Sequence, residues 1–221
     1  AASAQLPGSW TLLNIRPAAD TVRALALTRA LLDRTGVVTH GAARSSAVPG
    51  GFPALQPVLR AMEDVGRLLR GRFVSGMGAA QFAEPAMIER IRQLQRAPSA
   101  VPLALATLDP ANPFGTLLPW PLTTSGTKPL RRSGSWVVLF QGWPLLWLPP
   151  GGKQLHTFTA GASPDTLQQA LGALATALRR EPRLRFTLEQ IDGCPASQSP
   201  LTALLKPAGF ARAPGGYSWD G

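Results

Sequence analysis

Cysteine is nearly missing from this chain of 221 residues: Cys194 stands alone, so no disulfide can form within it. Such usage fits a reducing compartment. Histidine is almost as scarce, and His40, His156 and one cysteine cannot fill a four-ligand zinc site within the chain. No apolar run reaches the roughly 20 residues that span a bilayer, which excludes a membrane-crossing helix. The opening, AASAQLPGSW, lacks the basic-then-apolar layout of a signal peptide and reads as the cut end of something longer. Nucleotide-binding loops are missing as well. There is no GxxxxGK(S/T), so the chain is no P-loop ATPase by itself, and no GxGxxG follows a strand. Gly76–Met77–Gly78 reads as a turn. No Ser-His-Asp arrangement and no internal repeat emerge, and Cys194, set before Pro195, is expected to be buried structure rather than a nucleophile.

Acids are few: 12 Asp and Glu against 22 Lys and Arg give a formal charge of +10. Lysine contributes only Lys128, Lys153 and Lys206, so the basicity is arginine. Arginine's planar fork suits phosphate oxygens and base edges better than an ammonium does. The balance points to a polyanionic partner, most often nucleic acid, with plain solubility charge as the alternative. Hydrophobic residues make up 45% of the chain, enough for a sizeable core.

The periodicity of DTVRALALTRALLDRTG predicts a first helix, with Asp20 as N-cap and Gly36 as the glycine that ends it. VVTHGAARSSAV suits a short second helix. PGGFPALQPVLRAMEDVGR predicts a third, with Phe52, Leu55, Val58, Leu59 and Met62 as its apolar stripe. LLRGRFV and AAQFA flank the turn signal SGMG and predict a β-hairpin. Helix, short helix, helix, hairpin is the order of a winged helix, in which the third helix enters a DNA groove and the hairpin is the wing. Arg60 lies on that helix; Arg67, Arg70 and Arg72 fall on the wing, the last two on one face of a strand. The same fold also packs against neighbouring domains, so DNA contact and packing both stay open. A helix, PAMIERIRQLQ, closes this unit, and RAPSAVP reads as a linker.

The second part predicts a strand at VPLALATLD and then a proline-rich loop that leaves Phe114 and Trp120 exposed or partly so. A flexible basic loop with Lys128, Arg131 and Arg132 follows. SWVVLFQ, WPLLWLP and KQLHTFT predict a β-meander; Trp120, Trp136, Trp143 and Trp147 are expected in the core. SPDTLQQALGALATALRREP predicts one long helix capped by Ser163 or Asp165. A strand at RLRFTLEQIDG, a short helix, and a last strand with a tight turn complete the chain. The fold class is α+β: a winged-helix domain over 1–96 (core about 20–96), then a curved or barrel-like, mainly antiparallel sheet domain over 97–221. The meander is apolar on both faces, which suits an edge covered by another copy, a homo-oligomer.

LLDRTGVVT, VPGGFPALQPVLRAMEDVGR, RGRFVSGMGAAQFA and LATLDPANPFGTLLPWP together resemble the C-terminal region of Lhr, the large helicase-related proteins of bacteria. The tail, DGCPASQSPLTALLKPAGFARAPGGYSWDG, is similar to that family's final unit. The resemblance implies a piece of a superfamily 2 helicase whose motor, with its ATP and Mg, lies outside this chain. This chain itself then needs no cofactor and no metal. It implies DNA, single-stranded or forked, and the helicase core of the same polypeptide as partners, no membrane, and a cytoplasmic, nucleoid-associated bacterial setting. It further implies similarity to AlkZ-type winged-helix DNA glycosylases, uracil as the base removed, and an aspartate near the chain end as the catalyst. Asp220 is the only acid after Asp192, so that role falls on it. The Gln-x-Gln motif of the AlkZ group has no counterpart, since Gln168 and Gln169 are adjacent and Gln93 and Gln95 sit in the linker helix; AlkZ substrate chemistry is therefore not carried over.

Such a reaction breaks the bond between C1′ and the base while the sugar gathers positive charge, which a neighbouring carboxylate stabilises. The base must first leave the stack. Tyr217, Trp219, Trp120 and Phe114 are candidates for the base pocket or wedge, and Arg60, Arg67, Arg70, Arg72, Lys128, Arg131 and Arg132 for DNA contact. A DNA-binding module with no chemistry of its own remains the competing reading.

Overall fold

A computed structural model describes residues 11, 18–158 and 162–221. The opening AASAQLPGSW, and Thr159 at the end of the expected third meander strand, lie outside the described residues.

The first helix, α1 (Asp20–Thr35), buries Thr28, Leu31 and Leu32, and Gly36 closes it at φ 69° with its N–H on the Leu32 carbonyl. Its N-cap is Ala19 rather than Asp20. Asp20 already lies inside the first turn, where a carboxylate favours the helix dipole, and it pairs with Arg23 one turn on. The next two residues form a strand that the sequence reading missed, β1 (Val37–Val38), both buried. Thr39 then caps α2 (His40–Ser45) by accepting the Ala42 N–H at 3.0 Å. Helix α3 (Gly51–Asp64) buries Phe52, Leu55 and Leu59 and carries Pro57 without breaking. Strands β2 (Leu69–Gly71) and β3 (Gln81–Ala83) form the hairpin, and β1 completes a sheet of order β1-β3-β2. With α4 (Pro85–Arg96) this is a winged helix, whose wing is the 72–80 loop. Leu31, Val38, Leu55, Leu59, Leu68 and Phe82 form its core.

A larger core gathers beyond the exposed stretch 97–100. Strands β5 (Trp136–Phe140), β6 (Trp143–Leu148) and β7 (Gln154–Thr157) pair antiparallel in succession as the expected meander, and β4 (Leu103–Ala106), the strand expected before the proline-rich loop, adds antiparallel to β5. Ser163 caps the long helix α5 (Pro164–Leu178), whose Leu171, Leu174 and Leu178 pack against Leu146, Leu148 and Leu155 of the sheet. The strand expected at RLRFTLEQIDG breaks at Glu189. Its first half, β8 (Phe186–Leu188), joins the chain end; its second, β9 (Gln190–Ile191), runs parallel to β7 and pairs with β10 (Cys194–Pro195). After a 3-10 turn and α6 (Thr202–Leu205), β11 (Ala211–Ala213) and β12 (Gly216–Trp219) complete a three-stranded sheet of order β11-β12-β8. The larger sheet, β10-β9-β7-β6-β5-β4, is open at both ends among the described residues and closes no barrel.

Three expected environments are corrected. Phe114 is only 3% exposed, Trp143 is 65% exposed, and Cys194 is exposed. Trp143 opens β6 directly after the Gln141–Gly142 turn and is left exposed, whereas Trp147 further along is covered. Cys194 sits on β10, the sheet's edge, where nothing packs on it. The basic loop expected to be flexible is pinned instead. Thr124 donates its N–H to the Thr157 carbonyl at 2.7 Å, and the Ser125 hydroxyl meets His156 Nδ1 at 2.9 Å. The 107–133 segment thus covers the face of β6 and β7 that α5 leaves open.

His156, 3% exposed and stacked on Trp147, pays for that cover with its titration. Burial lowers its pKa below the ordinary 6.5, a shift that the charge of Asp192 opposes. The unfolded chain therefore binds more protons once pH drops below about 6.5. The group costs nothing above that value and subtracts stability increasingly as pH falls toward the lowered folded pKa. In His156→Asn, the fall in Tm between pH 7 and pH 5 should be shallower than in the native chain, as read by thermal melts.

Candidate nucleic-acid interface

The chain end is held as a strand. β12 pairs with β8 in the register Tyr217↔Leu188, Ser218↔Thr187, Trp219↔Phe186. Strand alternation sends Tyr217 and Trp219 into the core and turns Ser218 and Asp220 outward. Gly216 is needed here, because a Cβ at that position would lie 2.0 Å from the Leu188 carbonyl oxygen. Trp219 is 1% exposed, with the Phe210 ring 5.1 Å away and the Arg179 guanidinium 5.6 Å from its centroid. Asp220 follows at once, exposed, accepting a hydrogen bond from Ser218 Oγ at 3.0 Å. Arg185, next in register, lies against Gly221, where a Cβ would stand 2.9 Å from its guanidinium. A penultimate residue next to a fully buried tryptophan is not a frayed end.

Of the aromatic candidates, Tyr217 and Trp219 lie in the core behind this carboxylate. Tyr217 at 9%, Trp219 at 1% and Phe114 at 3% exposure are core side chains and present no free ring face to a base. Trp120 is half-buried, stacked between Phe114 at 5.5 Å and Phe158 at 6.0 Å.

The basic candidates divide. Arg60 is exposed on α3, but Glu63 and Asp64 follow it on the same helix. Arg67 lies exposed in the turn before β2. Arg70 pairs with Glu63 at 3.1 Å. Arg72 falls just past the end of β2 at Gly71, so it shares no strand face with Arg70. Arg131 is an internal strut whose guanidinium donates to the carbonyls of Asn112 (2.8 Å) and Phe114 (3.2 Å). Lys128 and Arg132 are exposed.

Two features escaped the sequence reading. Gln81, fully buried on β3, shapes the wing from within: its carbonyl oxygen accepts the N–H groups of Phe73 and Val74, and its amide donates to the carbonyls of Val74 and Gly78. Leucine there is expected to cost about 1–3 kcal/mol by leaving these groups unpaired. Urea denaturation measures the loss, and faster hydrogen exchange at the Phe73 and Val74 amides localises it. The second feature is a cavity of about 590 Å³ where β4 ends and β5 begins, with Arg132, Trp136, Glu181, Arg183 and Leu184 in its lining. The run RREPRLR, with four arginines in seven residues, was the available signal.

Among the described residues no group of His, Cys, Asp and Glu could hold a metal, and no helix is long and apolar enough to cross a membrane.

Residues 17–103 match the family model for the winged-helix domain of the large helicase-related protein. The chain is 44% identical, over 97% of its length, to a protein of Escherichia coli K12 named Lhr helicase/uracil glycosylase. It is 35% identical, over 95% of its length, to one of Mycolicibacterium smegmatis named Lhr helicase/probable uracil glycosylase. In each case it spans 14% of the relative's length. The winged helix and a match along nearly the whole sequence agree: the chain corresponds to a region of the large helicase-related (Lhr) proteins.

Proposed function

We propose that this chain grips DNA and hydrolyses the N-glycosidic bond of uracil, with Asp220 as the catalytic carboxylate. The carrying observation is the placement of Asp220, exposed and directed outward from a strand that Trp219 locks into the core. The name of the Escherichia coli relative supports the choice of reaction and base.

In this reading a uracil nucleotide is rotated out of the stack and its sugar is set beside Asp220. The C1′–N1 bond breaks, and its electron pair leaves on uracil, a tolerable anion. Positive charge on the sugar is stabilised by the carboxylate, which also orients water. The water oxygen bonds to C1′, and the proton it gives up passes through solvent to the uracil anion. One acid suffices, so no metal enters. The ATP-dependent motor, with its Mg, belongs to the remainder of an Lhr-type polypeptide, and DNA in single-stranded or forked form is the substrate it would share with this chain.

The test is alkaline cleavage after incubation with uracil-containing single- and double-stranded DNA. The native chain should yield breaks and Asp220→Ala should not; equal breakage by both sinks the assignment.

A second reading has two specific supports. The end of α3 carries exposed Asp64 and a half-buried Glu63 paired with Arg70 beside Arg60, a mixed charge less suited to a DNA groove than to packing on another domain. β4 is likewise a sheet edge, with Val101 at 72% and Leu103 at 54% exposure, suited to another copy. A chain that binds DNA and never excises uracil would select this module reading. Light scattering that finds only monomer at high concentration would remove the second copy from it.

A further inference from the structure

We propose that Arg132, Arg183 and Arg185 form a phosphate clamp that seats the DNA strand beside Asp220, and that the cavity between them receives the extruded nucleotide. The inference rests on the reading of Asp220 as the catalytic acid.

Three observations carry it. The first is position. Arg132 and Arg183 both line the cavity, Arg132 from the segment before β5 and Arg183 from the segment before β8. Leu184 continues that wall, and the next residue, Arg185, already lies against Gly221 at the chain end. The cavity wall and the neighbour of Asp220 are therefore one continuous segment.

The second is preorganisation. Thr107 and Ser135 are fully buried, and their hydroxyls hold the backbone of Arg132 on both sides. Thr107 Oγ accepts the Arg132 N–H at 3.2 Å, and both hydroxyls donate to the Arg132 carbonyl, at 3.0 Å and 2.6 Å. Arg131 beside it is tied to carbonyls. A buried polar pair thus aims one arginine outward from a fixed base, which lowers the ordering cost of gripping a ligand.

The third is charge. Among the described residues the ion pairs use Asp20, Glu63, Glu89 and Glu189, and none of them engages these three arginines. Glu181 is the one acid in the cavity lining. Arg132 and Arg183 line this concave site as exposed guanidinium groups without carboxylate partners, and Arg185, which donates to the Pro182 and Leu184 carbonyls, stands beside it at the chain end; such groups match the oxygens of a phosphodiester. The volume of about 590 Å³ falls in the range of small-ligand pockets and accommodates a nucleotide. Trp136 in the wall offers a surface for a base to stack on.

The experiment uses the full 221-residue chain and a single-stranded oligonucleotide containing 2′-fluoro-deoxyuridine, which resists hydrolysis. Affinity is measured by fluorescence anisotropy across a salt series. Each phosphate contact to single-stranded DNA contributes about 0.7 to the slope of log K against log salt. Arg132→Gln/Arg183→Gln/Arg185→Gln should lower that slope by about 2. The corresponding lysine triple, which keeps charge, should restore most of it and so excludes misfolding as the cause. An unchanged slope in the glutamine triple overturns the clamp. Uracil excision by the native chain and by Asp220→Ala is read in parallel. A lowered slope with no difference in excision leaves the clamp standing as a DNA groove and removes the catalytic reading. An unchanged slope with excision lost only in Asp220→Ala does the reverse.

Discussion

Asparagine in place of Asp220 should slow single-turnover excision of uracil by about 10²–10³-fold, the usual consequence of removing one preorganised electrostatic group from a transition state. The substitution is nearly isosteric, and its amide oxygen can still accept from Ser218 Oγ, so the tail keeps its geometry. Only charge is lost. That charge matters little while the sugar is neutral and most when C1′ becomes cationic, so the effect should fall on the rate at saturating DNA. Affinity should hold or tighten slightly, because an anion has been removed from beside the phosphates. Single-turnover rates with enzyme in excess, together with anisotropy on an uncleavable substrate, separate these two quantities. Weakened binding with an unchanged rate would place Asp220 among groups that merely shape the DNA groove. Ser218→Ala, which deletes one exposed hydrogen bond, should have a far smaller effect on both.

Sequence patterns located the helices and the meander because local periodicity determines them. Phe52, Leu55 and Leu59 recur on one face of α3, and Leu171, Leu174 and Leu178 on one face of α5, so the apolar spacing alone gives the buried side. Features set by distant partners stayed hidden. Val37–Val38 is too short to carry a pattern and becomes a strand only because Phe82 and Ala83 pair with it. The break at Glu189 is likewise dictated from outside, since Phe186–Leu188 finds β12 while Gln190–Ile191 finds β7. The site shows the same division. Asp220 follows only from the family resemblance, as the one acid after Asp192. Whether its neighbours Tyr217 and Trp219 face a ligand or the core depends on β8, some 30 residues earlier by the register of pairing, and the core takes them. Adjacent Arg131 and Arg132 look alike in sequence. The carbonyls of Asn112, Phe114 and Asp109 hold Arg131 and distinguish that strut from the exposed Arg132.

Trp219→Ala should produce the largest loss of stability among these variants, about 3–5 kcal/mol, the range for truncating a fully buried aromatic. The ring packs against Phe210 and under Arg179, and it anchors the last pairing of β12 with Phe186. Alanine leaves a void that the rigid sheet cannot fill, and Arg179 loses its aromatic face. Asp220 then hangs from a strand end with no side chain holding it, so excision should fall even under conditions where the variant remains folded. Trp219→Phe makes a sharper comparison. The indole Nε1 is buried without a hydrogen-bond partner among the described residues, so phenylalanine removes that donor as well as some apolar contact. Those terms oppose each other, and the net cost should stay below about 1.5 kcal/mol, in keeping with a swap that preserves most of the buried volume. Urea denaturation gives both values, and excision assays on the same samples give the functional consequence. Trp219→Phe should keep excision near native while Trp219→Ala loses it, because the ring acts by fixing where the carboxylate stands. Equal excision by both variants, each shown to be folded, would mean that Asp220 needs no anchored strand to work.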